Sequence, residues 1–210
     1  MDLLNMDIYQ WTCILAKMSS AQYVLDMMPK SAIKSSASDV RKCGLDNVSL
    51  QGLFLEFGVA SGNTINEMSS LFPSHKFYGF DSFGGLPETW RSGFEKGIFL
   101  QKTAPDVNNN VELIVGLFNE TLPNFLWCHK DDIAFLHIDC DLYSSTKTIF
   151  DLCADRIKSG TIICFDEYFG YPSWQEHEHK AFVEFTEEHD IHFEYIAYNM
   201  NHEQVAVKIL

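Results

Sequence analysis

Residues 135–146 read "FLHIDCDLYSST", an apolar run that stops at two aspartates, Asp139 and Asp141. Taking a carboxylate out of water is costly unless a cation or several donors meet it. Either a helix begins here and the acids cap it, or a cation sits at the end of a strand. The flanking sequence places the run inside a repeating unit. "IAFLHIDCD" (133–141) reads as a buried strand, and "SSTKTIFDLCADRIK" (144–158) as an amphipathic helix.

The same alternation extends in both directions. "LFLEFGV" (53–59) is a strand followed by a helix over about Asn63–Leu71, and "HKFYGFDSF" (75–83) is a second strand. Residues 84–110 read mostly as loop. "VELIVGLF" (111–118) is a third strand, with a short helix around Leu122–Trp127. Gly160 is expected to turn the chain into "TIICFDEY" (161–168), the fifth strand, and a helix is expected over roughly 175–189. "IHFEYIAY" and "EQVAVKIL" then form an antiparallel hairpin. Five β-then-α units closed by a hairpin predict an α/β fold, a Rossmann-like, doubly wound, mostly parallel sheet. Residues 51–210 form this domain. Residues 1–50 read as an N-terminal helical cap or lid, helical in "MDIYQWTCILAKM" and "AQYVLDMM" and looped in "KSSASD" (34–39).

Bulk composition narrows the class. The 210 residues carry 29 acidic and 15 basic side chains, a formal net charge of −14, which repels nucleic-acid backbones and anionic membranes. Six cysteines without a C-x-x-C pair read as reduced and mostly buried. With acids where a signal peptide would carry positive charge and no membrane-length apolar run, the expectation is a cytoplasmic protein.

In a doubly wound sheet, ligands bind beyond the carboxyl ends of the strands. Those ends here offer Glu56, Asp81, Asp139, Asp141, Asp166 and Glu167, a crowd of carboxylates. "EFGVASGNT" (56–64) is a Gly-rich strand-to-helix turn without the full G-x-G-x-x-G spacing. Gly62 and Thr64 stand at the helix start, where backbone N–H groups can receive a carboxylate. Asp81 ends the next strand about 20 residues on, a position that commonly meets ribose hydroxyls. An adenosine-containing cofactor is therefore expected. A pyrophosphate would be repelled by this mouth, whereas the sulfonium and ammonium of S-adenosylmethionine would be welcomed.

"FLEFGVASGNTI", "GFDSFGGLPETW", "VGLFNETLP", "LHIDCDLYSST" and "GTIICFDEYFGYPSW" occur in an order that resembles the macrocin O-methyltransferase family, from about residue 52 onward. The resemblance implies a class I S-adenosylmethionine-dependent methyltransferase acting on hydroxyls of sugar-containing molecules. By that resemblance Glu56, Phe57, Gly58, Ser61, Gly62 and Thr64 would hold the methionine part of the cofactor. Asp81, Ser82 and Phe83 would meet the ribose, and Gly116 and Phe118 would border the adenine. Asp139, Asp166 and Glu167 would bind Mg²⁺, with D-E standing where several relatives carry D-D.

The expected chemistry is transfer of a methyl group to a hydroxyl of a small polyhydroxylated acceptor, with Asp139 as both base and metal ligand. Asp141, just before the helix, is expected to be an N-cap, and His137 a satisfied core histidine. Trp90, Arg91, Trp174, His177 and Glu178 are expected to line the acceptor pocket. Alternative readings are a non-catalytic cofactor-binding module or a hydroxylase-like relative of the same fold. Neither nucleic acid nor membrane is an expected partner, and the sequence leaves a homo-oligomer open.

Overall fold

The structure, a computed structural model, describes residues 7–199 and 201–210. Residues 1–6 of the expected cap and Met200 lie outside the described residues. In chain order the elements are α1 (Ile8–Met27), β1 (Ile33–Lys34), α2 (Ala37–Asp46), β2 (Leu53–Phe57), α3 (Asn63–Leu71), β3 (Phe77–Asp81) and β4 (Val111–Val115). There follow α4 (Phe118–Cys128), β5 (Ile133–Ile138), α5 (Tyr143–Cys153), β6 (Ile157–Phe165), α6 (Glu178–Glu188), β7 (Phe193–Asn199) and β8 (Val205–Ile209). The eight strands form one sheet in the order β1-β7-β8-β6-β5-β2-β3-β4. Strand β8 runs antiparallel to β6 and β7, and every other pairing is parallel. This is the expected Rossmann-like architecture.

Strand order reverses between β2 and β5, so the crevice beyond their carboxyl ends is the ligand position that the topology offers. Both strands are buried along their whole length, as their unbroken apolar runs require. One face of the sheet packs Phe57, Phe80, Ile138, Phe150, Phe165 and Phe182 together. The other packs Phe54, Phe77, Phe135 and Ile162 against Val40 and Leu45 of α2 and Ile65 and Met68 of α3. Each such side chain stabilises the fold by roughly 1.5–3 kcal/mol. Two aromatic-rich layers thus hold the strand ends in place. Among the described residues no helix is long and apolar enough to cross a membrane.

Several expectations are corrected. "KSSASD" is not a loop: Lys34 belongs to β1, which pairs with β7, and Ser36 caps α2 by accepting from Asp39 N. Residues 33–46 therefore join the sheet and its helical layer. Strand β6 begins at Ile157, before Gly160, and passes through it with a register shift against β5. Gly160, at φ 97°, is a bulge rather than a turn. The third strand ends at Val115 because Gly116 takes φ 146°, and "LF" opens α4 instead. Helix α6 starts only at Glu178, after a 3-10 turn over Trp174–Glu176.

Candidate active site

A cavity of about 490 Å³ opens at the switch point, beyond β2, β3, β4, β5 and β6. Of the expected site residues, Gly58, Asp81, Ser82, Gly116, Phe118, Asp139 and Glu167 line it. Glu56 and Phe57 lie buried within β2, and Phe83 is also buried. Ser61, Gly62 and Thr64 sit in the loop and first turn of α3, with no share of the cavity wall.

On the β2–β3 side, backbone shape dominates. Gly58 has φ 91°, and a Cβ there would overlap the carbonyl oxygen of Asp139. Only glycine lets the two strand ends approach this closely. The loop is then held by Asp81, whose Oδ2 accepts from Val59 N (2.9 Å) and Ala60 N (2.8 Å), while Oδ1 accepts from Phe83 N (2.7 Å). The carboxylate expected to face a ribose is thus also the clasp of the glycine loop. Ala60, strained at φ 43°, turns its backbone into the cavity wall beside it.

On the β5–β6 side, carboxylates dominate. The sheet ladder runs one residue past the strands, with Asp139 N donating to Phe57 O and Asp166 N to Ile138 O, each at 2.9 Å. Asp139, Asp166 and Glu167 each present an oxygen, all within 4.8 Å of one another. Burial, and then the charge of Asp166, pushes both Asp139 and Glu167 well above the usual carboxylate range. Glu167 Oε2 is buried without a hydrogen-bond partner. Asp166 stands behind the cavity wall, where Arg41 Nη1 (3.4 Å) and Gln204 Nε2 (3.3 Å) donate to its two oxygens. Arg41 also pairs with Glu67 at 2.6 Å.

An all-oxygen group with one unpartnered buried atom fits a hard divalent cation such as Mg²⁺. Glu56, His137 and Asp139 form a second close group. In it His137 Nδ1 lies 3.0 Å from Glu56 Oε1, while His137 Nε2 and Glu56 Oε2 have no partner. The core histidine is therefore only half satisfied.

Asp141 does not cap α5. The N-cap position is Leu142, without a side-chain cap bond, and Asp141 itself adopts φ 63°. Burial lifts its carboxyl to about 7, against the pull of the Arg91 guanidinium. Trp174 and Glu178 are buried and do not line the cavity. Trp90 and Arg91 also lie off it, stacked with Arg91 3.8 Å from the Trp90 ring centroid and 4.4 Å from that of Tyr171. His177, too, has no part in the cavity wall. The same loop instead contributes Gly85, Leu86, Pro87 and Phe99.

Sequence reasoning missed Arg41, because a lone arginine in a polar run carries no signal. It also missed what Glu178 does. Its Oε1 accepts from Cys140 N (3.3 Å) and Asp141 N (3.2 Å), and its Oε2 from Glu167 N (3.3 Å). Burial pushes this carboxyl well up, against the pull of those N–H groups.

Compared with protein-family profiles, residues 55–168 match the one described as a methyltransferase domain. The chain belongs to this methyltransferase family. The matched stretch contains the glycine loop, Asp81 and all three clustered acids. No curated protein matches the sequence. Among solved structures, the chain is similar to the calicheamicin methyltransferase CalS11, at 19% identity and a TM-score of 0.64, covering 98% of this chain and 88% of that one. The O-methyltransferase NovP matches at 20% identity and a TM-score of 0.60, over 81% and 77% of the two chains. The O-methyltransferase TomG from Streptomyces achromogenes matches at 13% identity and a TM-score of 0.52, over 99% and 92%. At these identities the likeness is one of fold.

Proposed function

We propose that this methyltransferase moves a methyl group from S-adenosylmethionine to a hydroxyl oxygen of a small, polyhydroxylated, sugar-containing acceptor, with Mg²⁺ held by Asp139, Asp166 and Glu167. The observation that carries the reading is the shared cavity. The glycine-loop backbone and Ser82 form one wall of it, and Asp139 and Glu167 the other. TomG, which shares the fold, was solved with S-adenosylmethionine. CalS11 is a TDP-rhamnose 3'-O-methyltransferase, which supports a sugar acceptor here.

S-adenosylmethionine supplies an electrophilic methyl group, and Mg²⁺ would acidify and orient the acceptor hydroxyl. The chain's own residues do the rest. Gly58, Ala60 and Ser82 shape the nucleoside side, and Gly116 and Phe118 border the base. Asp139 takes the hydroxyl proton at its carboxylate, which lines the cavity shared with the glycine loop. Leu86, Pro87 and Phe99 cover the cavity and exclude water. Macrocin-like specificity within the family is part of the same proposal.

The test is calorimetric titration with S-adenosylhomocysteine, followed by Mg²⁺. The expected outcome is nucleoside binding, then a Mg²⁺ signal that Asp139→Asn removes. Turnover of that variant on a hydroxylated acceptor should fall at least about 10²-fold. Unchanged turnover would remove Asp139 from the site. Nucleoside binding without a Mg²⁺ signal would keep the methyl donor and discard the metal.

A further inference from the structure

The two acids that line the cavity stand on different loops, Asp139 after β5 and Glu167 after β6. A cation site split in this way keeps its geometry only if the loops are held at a fixed separation. The strand ladder fixes the first residue of each loop, through Asp139 N and Asp166 N. Beyond that point neither loop is in a strand, and Asp141 sits at φ 63°. We propose that Glu178 is the positioning residue that ties the two loops together and so sets the spacing of Asp139 and Glu167. This rests on the cation site proposed above.

Three observations support it. One carboxylate takes hydrogen bonds from both loops, with Oε1 on the Cys140 and Asp141 amides and Oε2 on the Glu167 amide. Glu178 is fully buried and lies outside the cavity wall. Its own position is rigid, because α6 buries Phe182 and Phe185 in the core, and Phe185 stacks on Phe150 of α5 with ring centroids 4.6 Å apart. The amides it engages lie one and two residues after Asp139 or belong to Glu167 itself. A carboxyl of this length reaches both loops, and its two oxygens accept all three bonds.

Two variants of the full chain separate reach from acceptor oxygens. Glu178→Gln keeps the reach and loses one of the two acceptor oxygens. Glu178→Asp keeps both oxygens and loses the reach. Mn²⁺ affinity, read by electron paramagnetic resonance, should fall at least about tenfold in both, the scale seen when partners behind metal ligands are removed. Amide exchange at Cys140, Asp141 and Glu167 should speed up by about tenfold in both. S-adenosylhomocysteine affinity should stay within about twofold, which also reports that the variants fold.

Wild-type exchange at the three amides in Glu178→Asp, with Mn²⁺ affinity unchanged, would overturn the proposal and leave Glu178 as a buried carboxyl only. If the wild-type chain binds no Mn²⁺, the metal reading fails instead. Amide exchange in the two variants then decides by itself whether Glu178 holds the loops.

Discussion

The two walls of the cavity use aspartate in opposite ways. Asp81, on the β3 side, gives its carboxylate to three backbone N–H groups of its own surroundings. Asp139, on the β5 side, stands half-buried among Asp166, Glu56, Asp141 and Glu178, all of which raise its affinity for a proton. The first acid is already satisfied and stabilises the fold. The second is held at a cost that a cation would offset. One wall is finished by folding; under the proposed function the other is completed by a cation.

The largest expected effect lies where the walls touch. Gly58→Ala places a Cβ against the Asp139 carbonyl at a left-handed φ, and chemical denaturation should show a loss of more than about 3 kcal/mol. A smaller loss would mean that the walls can separate and are not one unit.

The same substitution on either wall should then act with opposite sign. Asp81→Asn deprives a backbone amide of its acceptor, and urea unfolding should show a loss of roughly 2 kcal/mol. Asp139→Asn should stabilise the metal-free protein at pH 7, by on the order of 1 kcal/mol. The sign follows from the upward shift of its pKa. Unfolded Asp139 ionises from its ordinary 3.8 upward, while the folded carboxyl holds its proton to higher pH. Wild-type stability is therefore lost as pH rises through that window, and the advantage of the variant should vanish at low pH. A loss of stability in both variants would erase the contrast.

The smallest effect concerns the cation. Under the proposed function Asp139 and Glu167 must release protons before they bind it, and both are shifted upward. Mg²⁺ should raise Tm more at pH 8 than at pH 6, a difference worth about 1 kcal/mol. A Mg²⁺ effect independent of pH would mean that these two acids are not its ligands.

The contrast between the walls was only partly visible in the sequence. The buried strands β3, β5 and β6 announced themselves as apolar runs closed by acids and β2 as an apolar run around Glu56, and α3 agreed with the expected Asn63–Leu71. Periodicity carries that much. It does not carry β1, whose two residues are too few to show a pattern, nor the continuation of β6 through Gly160, where a glycine normally signals a turn. Asp81 and Asp139 look alike in one dimension, each closing an apolar strand. Their difference depends on which way neighbouring amides point, which only the folded backbone determines. Glu178 sits in "QEHEHK", a run that reads as a solvated helix start, yet it is the most buried acid of that segment. Asp141 was misread for the same reason, since its position suits a cap but its left-handed backbone turns the side chain away from one.

The ladder that continues one residue past β5 and β6 bears on how quickly a cation could arrive. Asp139 and Asp166 have their amides already bonded to the neighbouring strand ends, so little chain ordering remains to be done upon binding. Mg²⁺ parts with its own water reluctantly. Under the proposed function, the rate of loading would then be governed by solvent leaving the ion, and stopped-flow mixing should return nearly the same constant when solution viscosity is raised.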